Sequence, residues 1–401
     1  MSTQSGLLGR TPPPVLSGAL LVLTCVVVAL ATQLNLLLDL AVYQAGGQAW
    51  LDSRPLYEGA FPVRPDLSLP FTYPPFAALC FSVLALVPHS TVAVVFSVGS
   101  FAALLIAVRA TGAALWRDFG WPHAALIGCL AVALEPVWKT LMFGQVNLYL
   151  MAIVVVDLLA VRSGRYRGFL IGLAAAIKLT PAVFLLYLAA GRQWRAIINA
   201  GVAFAACTAL AALIRPADSI TYWFTALLAP ERIGGLAYTG NQSVRGALHR
   251  LGLSPATELT WWVVMGGLVI VLGGLAARRW RRAGQDAPAL IAVAMVGLLV
   301  SPVAWSHHWV WLVPALLVLA HLAMRWRSRL LAATAALVAV ATLVGAHQFL
   351  PQEGDRELSW SAWQHLLGNS YLWLGLLLLV VLLALRRTPQ PTPAPERTIG
   401  V

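Results

Sequence analysis

The chain has 401 residues, of which 60% are hydrophobic and only 10% charged, with a mean hydropathy of +0.79. Soluble domains carry about 25% charged residues, so this composition excludes a soluble protein and points to an integral membrane one. The net charge of +12 is no nucleic-acid signal, because the basic residues fall in short clusters between apolar runs.

In chain order, residues 1–14 are polar and proline-rich and are expected to form a loose cytoplasmic tail. The run Val15–Leu38 is too long for a signal-peptide core and lacks a small-residue cleavage site, so it reads as a retained span. Asp39 stands where that run ends, with three leucines before it and Leu40, Ala41 and Val42 after it. A carboxylate at such a boundary is costly unless it faces a cavity or a partner, and there it is placed to act as a general base. The alternative is a plain helix cap. The segment AVYQAGGQAWLDSRPLYEG reads as a short interfacial helix, in which Asp39, Tyr43 and Trp50 can share one face. Gly46 and Gly47 would admit a close neighbour, and FTYPPFAAL re-enters the membrane with prolines suited to a helix start.

Further spans are expected at 75–88, 90–108, 122–138 and 147–161, with the polar island EPVWKTLMFGQVNLYL before the last of them. Strict alternation of sides fails here, which makes 122–138 the candidate for a short or re-entrant element. Residues 168–191 have basic flanks on both sides and carry Lys178 and Pro181 at mid-run, which predicts a helix broken at KLTP and lining a cavity. A loop at 215–257 contains NQSVRGALHR, with Arg245 and Arg250 on a short amphipathic helix. Spans at 196–214, 259–277, 286–302, 308–324, 329–349 and 370–385 bring the expected total to about 11–13. The tail 388–401 is expected to be disordered and cytoplasmic, leaving 15–387 as one transmembrane domain with no soluble domain.

The clusters Arg162/Arg165/Arg167, Arg192/Arg195, Arg278–Arg282, Arg325/Arg327/Arg329 and Arg386/Arg387 assign their loops to the cytoplasm. Four polar islands then fall on the opposite face: around Asp39, Glu135–Asn147, Asn241–Arg250 and Ser301–His308. Their carboxylates, amides, histidines and cations suit an anionic lipid head group and a hydroxyl-rich partner. Neither a P-loop nor GxGxxG occurs, and Cys25, Cys80, Cys129 and Cys207 lack paired spacing, so neither disulfides nor zinc are expected.

The ordered set DLAVYQAGGQAW, FTYPPFAAL, GQVNLYL, KLTPAVFLLY, NQSVRGALHR and SPVAWSHHWV resembles the polytopic GT-C glycosyltransferases of family 87. Within that family it is similar to actinobacterial polyprenyl-phosphomannose-dependent α-1,2-mannosyltransferases that act on phosphatidylinositol mannosides. The resemblance implies an all-α bundle in the cytoplasmic membrane and an inverting transfer on its extracytoplasmic face. The implied donor is polyprenyl-phosphate-mannose and the implied acceptor a phosphatidylinositol mannoside, within membrane lipid and with no nucleic acid partner. It matches Asp39 to the family's acidic residue in the first extracytoplasmic loop, the base that takes the acceptor proton; among the nearby acids Asp52 and Glu58, Glu58 is the alternative base. It matches His307, His308 and Lys178 to residues near the donor phosphate and puts Arg245 in the matching segment. Among the other polar residues, Gln145, Asn147, Asn241 and Gln242 read as sugar- or acceptor-binding amides, with capping of the next span the alternative for Gln145 and Asn147. Tyr43 reads as a sugar contact, a support for Asp39 or an interfacial anchor. No cofactor and no divalent metal are expected, because adjacent histidines and one aspartate make a poor divalent site. Two alternatives stay open: another polyprenyl-phosphate sugar such as arabinose, and a transporter of lipid or sugar using the broken helix.

Overall fold

Prolines and glycines punctuate the apolar runs, and the helices start and stop at them. A computed structural model describes residues 12–34, 37–161, 164–229, 232, 234–352 and 354–385. Most of the two expected tails, together with Arg162, Arg386 and Arg387, lies outside the described residues.

The first half holds α1 (Pro14–Leu34), α2 (Leu38–Leu51), a small antiparallel hairpin of β1 (Phe61–Arg64) and β2 (Leu67–Leu69), and α3 (Pro75–Ala85). It continues with α4 (His89–Leu115), α5 (Trp121–Ala131), α6 (Glu135–Phe143), α7 (Asn147–Val155), α8 (Phe169–Ile177) and α9 (Leu185–Ala190). The second half holds α10 (Trp194–Ile214), α11 (Pro216–Phe224), α12 (Val244–His249), α13 (Pro255–Arg282) and α14 (Asp286–Val300). It ends with α15 (Leu312–Trp326), α16 (Arg329–Val344), α17 (Ala362–Gly368) and α18 (Ser370–Ala384). The protein is an all-α polytopic membrane protein; the sequence pattern did not announce the hairpin, or α11 and α17, which lie within regions it read as loops.

Among the described residues five helices are long and apolar enough to cross a membrane, and seven if two bent pairs each count as one span. Five shorter apolar helices of 10–17 residues accompany them, and the larger number expected from sequence is reached only by counting these as well. The bent pairs are α5–α6, at 82°, and α17–α18, at 67°. The first is the 122–138 run, whose failed alternation has its cause here: Pro136 opens α6 after a break and turns the chain aside. At KLTP the helix is broken as expected. The backbone of Lys178 is extended (φ −151°, ψ 128°), and Thr180–Phe184 continues as a 3₁₀ turn into α9.

Within the bundle α2 packs along α3, α8 along α10, α4 along α7 and α13 along α14. α14 is buried almost all round and forms the centre, whereas the most apolar stretches of α10 and α13 are only 17% and 22% buried. Such exposed Leu, Val and Ile faces are what a helix presents to lipid. The sequence-level expectation for Gly46 and Gly47 holds. A Cβ on Gly47 would lie 2.4 Å from the Phe81 carbonyl oxygen, and one on Gly46 2.4 Å from the Phe71 ring, so only glycines let α2 approach α3 this closely.

Candidate active site

A cavity of about 720 Å³ opens where the ends of α2, α6, α8 and α14 meet the 301–308 segment. Its polar wall carries Asp39, Lys139, Gln145, Lys178, His307 and His308. Its apolar wall includes Val183, Ile270, Val296 and Val300.

Asp39 is placed by the chain's turn into α2. Leu37, buried and left-handed (φ 41°, ψ 63°), opens the helix, so Asp39 falls in its first turn, where the helix dipole favours a carboxylate. Opposite it, α6 ends at Gly144, whose left-handed backbone (φ 65°, ψ 40°) turns the chain into Gln145 and α7. A Cβ there would come within 2.7 Å of the Leu40 Cβ, so the missing side chain is what seats α2 against this corner. Asp39 therefore meets Gln145 directly.

Gln145 is the hub. Its Oε1 accepts from the Tyr43 hydroxyl at 2.6 Å, the Tyr73 hydroxyl at 2.8 Å and the Val146 amide at 3.1 Å, with the Lys178 ammonium at 3.4 Å. With its carbonyl so claimed, its amide is left to hydrogen-bond the Asp39 carboxylate. Burial pushes the Asp39 carboxyl up to about 6, against the pull of the Lys178 charge and the Gln145 hydrogen bond. A carboxyl poised there is a competent base near neutral pH.

Lys178, freed from helical backbone by the KLTP break, donates to Asn147 Oδ1 at 3.0 Å and stands 3.4 Å from His308 Nε2 and 5.3 Å from the Tyr73 ring centre. The perpendicular His307 and His308 rings are 4.8 Å apart. The His307 carbonyl accepts from Thr140 Oγ1 at 2.9 Å and Asn147 Nδ2 at 3.0 Å, which fixes the pair against α6 and α7. Among the described residues His307 Nε2 is buried without a hydrogen-bond partner. An orphaned donor or acceptor of this kind commonly awaits a ligand.

Asp39, Lys178, Gln145, His307 and His308 thus converge as expected. Asn147 braces Lys178 and His307 and lines a small side chamber of about 50 Å³ that shares His308 and Thr180 with the main cavity. Tyr43 is fully buried and touches the site through Gln145 and the wall residue Tyr73. Three expectations are corrected. Arg245 does not line the cavity; it pairs with Glu258 at 2.9 Å and lies over Trp262, which does line it. Asn241 and Gln242 are wholly buried and line no part of it. Asn241 Oδ1 accepts from the Ala304 amide at 3.1 Å and braces the 301–308 segment from behind, whereas Gln242 Nε2 donates to the Thr239 and Gly368 carbonyls and ties the loop to the end of α17. Glu58 and Asp52 are exposed, and Asp52 pairs with Arg54 at 3.2 Å, so neither competes with Asp39.

Sequence reasoning missed Tyr73, Lys139, Arg232, Trp262 and Trp305 in the wall. Tyr73 and Lys139 sat inside motifs already quoted, but nothing in their spacing set them apart from structural neighbours. Among the described residues no group of three or more His, Cys, Asp or Glu side chains is arranged to hold a metal ion.

The sequence model of glycosyltransferase family 87 matches residues 71–302. Over 385 residues the chain is 38% identical to the polyprenol-phosphate-mannose-dependent alpha-(1-2)-phosphatidylinositol mannoside mannosyltransferase of Mycobacterium tuberculosis, covering 89% of each chain. The protein of the same name in Mycolicibacterium smegmatis is 37% identical over 367 residues, 86% of this chain and 83% of its own. A phosphatidylinositol pentamannoside mannosyltransferase of M. smegmatis is 37% identical over 292 residues, 71% of this chain and 69% of its own. No solved structure matches.

Proposed function

Since the chain belongs to glycosyltransferase family 87, we propose that it transfers mannose from a polyprenyl phosphate to a hydroxyl of a phosphatidylinositol mannoside, with inversion and in α-1,2 linkage. The observation that carries this reading is Asp39 in the cavity wall, hydrogen-bonded by Gln145 and facing the Lys178–His308–His307 row.

The acceptor hydroxyl gives its proton to the Asp39 carboxylate as its oxygen attacks the anomeric carbon. The bond from that carbon to the phosphate oxygen breaks, and its electron pair stays on the phosphate, which changes from a diester monoanion to a monoester dianion. Cations and donors aimed at that growing charge lower the barrier. Once Asp39 is protonated, Lys178 no longer faces a carboxylate, and its charge is available to the phosphate. The Tyr73, Tyr238, Trp262 and Trp305 rings supply apolar faces and polar tips suited to sugars.

The proposed side of the membrane follows from α13 and α14. Trp262 lines the cavity from one end of α13 and Arg278–Arg282 crowd the other, about 25 Å away at 1.5 Å per residue. α14 runs back, with Asp286 near the arginines and Val300 in the cavity. By the positive-inside rule the arginine end is cytoplasmic, so the cavity opens to the extracytoplasmic side of the cytoplasmic membrane.

The test is a transfer assay on purified protein with radiolabelled polyprenyl-phosphate-mannose and extracted phosphatidylinositol mannosides. Expected is a labelled lipid with one more mannose, released by α-mannosidase. Absence of transfer, with label accepted instead from polyprenyl-phosphate-arabinose, would replace the donor sugar in this reading.

A further inference from the structure

Lys139 stands on α6 at the cavity wall and has no role in the account so far. Four residues before it, the buried Glu135 accepts from Ser306 Oγ at 2.7 Å on one carboxylate oxygen and from the Tyr371 hydroxyl at 2.8 Å on the other. These two hydroxyls, with His347 Nε2 3.7 Å away, fix the carboxylate that in turn anchors the lysine. The Lys139 ammonium itself is only loosely engaged, 3.6 Å from Glu135 Oε1 and 3.4 Å from Gln348 Oε1. An ammonium has three protons to donate, so it keeps capacity toward the cavity.

Its neighbour there is the orphaned His307. Lys139 lies 5.9 Å from the Phe143 ring centre and the His307 ring 5.2 Å from the same centre. The charges of both Lys139 and Lys178 reach His307. The polar wall therefore runs in the order Asp39, Lys178, His308, His307, Lys139. A single displacement puts the base and the leaving group on opposite faces of the sugar. With Asp39 at one end of the row, the leaving group belongs toward the other, where a buried unpartnered nitrogen and the Lys139 ammonium both lie against the Phe143 ring.

We propose that Lys139, held in position by Glu135, is a second cationic arm that receives the leaving polyprenyl phosphate beside His307, a role that rests on the transfer proposed above. Lys178 then meets the phosphate from the Asp39 side once Asp39 is protonated, and Lys139 supplies the second positive charge as the phosphate becomes a dianion. Glu135 is a positioning residue for Lys139, and it also holds Ser306 beside the histidines.

The experiment measures binding of decaprenyl phosphate and of decaprenol to purified protein in detergent, with transfer kinetics alongside. Four proteins are compared: wild type, Lys139→Met, Lys139→Arg and the double variant Lys139→Met with Glu135→Gln. The double variant leaves no unpaired carboxylate buried, which guards against simple misfolding. Expected is a loss of about ten- to a hundredfold in affinity for decaprenyl phosphate in both methionine variants, as for a lost charge-assisted contact. Lys139→Arg recovers most of it, decaprenol binding is the same in all four, and kcat falls while the acceptor KM does not move. A double variant with wild-type Tm that binds decaprenyl phosphate within twofold of wild type would overturn the assignment of Lys139 alone. Wild type that binds decaprenol as tightly as decaprenyl phosphate would overturn the donor reading, and this proposal with it.

Discussion

Replacing Asp39 by asparagine removes one charge and almost no volume, and so isolates the base. Asparagine can still hydrogen-bond Gln145. Lys178 keeps Asn147 at 3.0 Å, with Gln145 and His308 each at 3.4 Å, so the site stays assembled and Tm shifts by a few degrees at most. Catalysis does not survive so well. Loss of a general base typically costs 10²–10⁴-fold, or about 3–5 kcal/mol in barrier height at about 1.4 kcal/mol per decade. The wild-type pH profile carries the same signature. The base acts ionised, and burial places the Asp39 carboxyl at about 6. Below that pH kcat/KM falls tenfold per unit as the carboxyl takes up a proton, and above it the profile is level. The assay is the radiolabelled transfer at pH 4.5 to 8.5 on both proteins, with donor binding measured separately (ranges chosen to bracket the carboxyl on both sides). Asp39→Asn that retains more than about a tenth of wild-type kcat/KM, or that keeps the inflection near pH 6, would refute Asp39 as the base.

Gly144→Ala forces a left-handed alanine, which costs about 1–2 kcal/mol, and pushes the Leu40 Cβ from 2.7 Å, so both Tm and kcat drop. Thermal melts and transfer rates check this together, and wild-type values in both would show that the close approach is unimportant. Arg245→Gln leaves kcat and donor KM within about twofold, because its partners are Glu258 and Trp262 and not the cavity, but it lowers Tm by stranding part of a buried ion pair. A large rise in donor KM would return Arg245 to the phosphate site. Activity is expected to persist in excess EDTA, since lysines and histidines face the phosphate; complete loss restored by Mg²⁺ or Mn²⁺ would contradict this.

Much of this protein is written in its sequence. Composition and the length of the apolar runs fix a polytopic helical membrane protein, because lipid leaves the backbone few other ways to satisfy its polar groups. The KLTP break and the irregular 122–138 run were legible for the same local reason: proline and a mid-run charge cannot sit in an uninterrupted span. Asp39, Lys178 and the His307–His308 pair stood out because ionisable groups in apolar surroundings need a purpose. The roles of the polar residues around them were decided by tertiary structure. Asn241 and Gln242 looked like ligand-binding amides, yet they face backbone groups of 301–308 and of the α17–α18 bend. Nothing in the sequence singled out Lys139, yet it reaches the cavity on α6, which is turned 82° from α5. A sequence names the groups that must find partners, whereas which partner each finds depends on long-range packing, here on glycines at 46, 47 and 144 that set how closely helices far apart in the chain can approach.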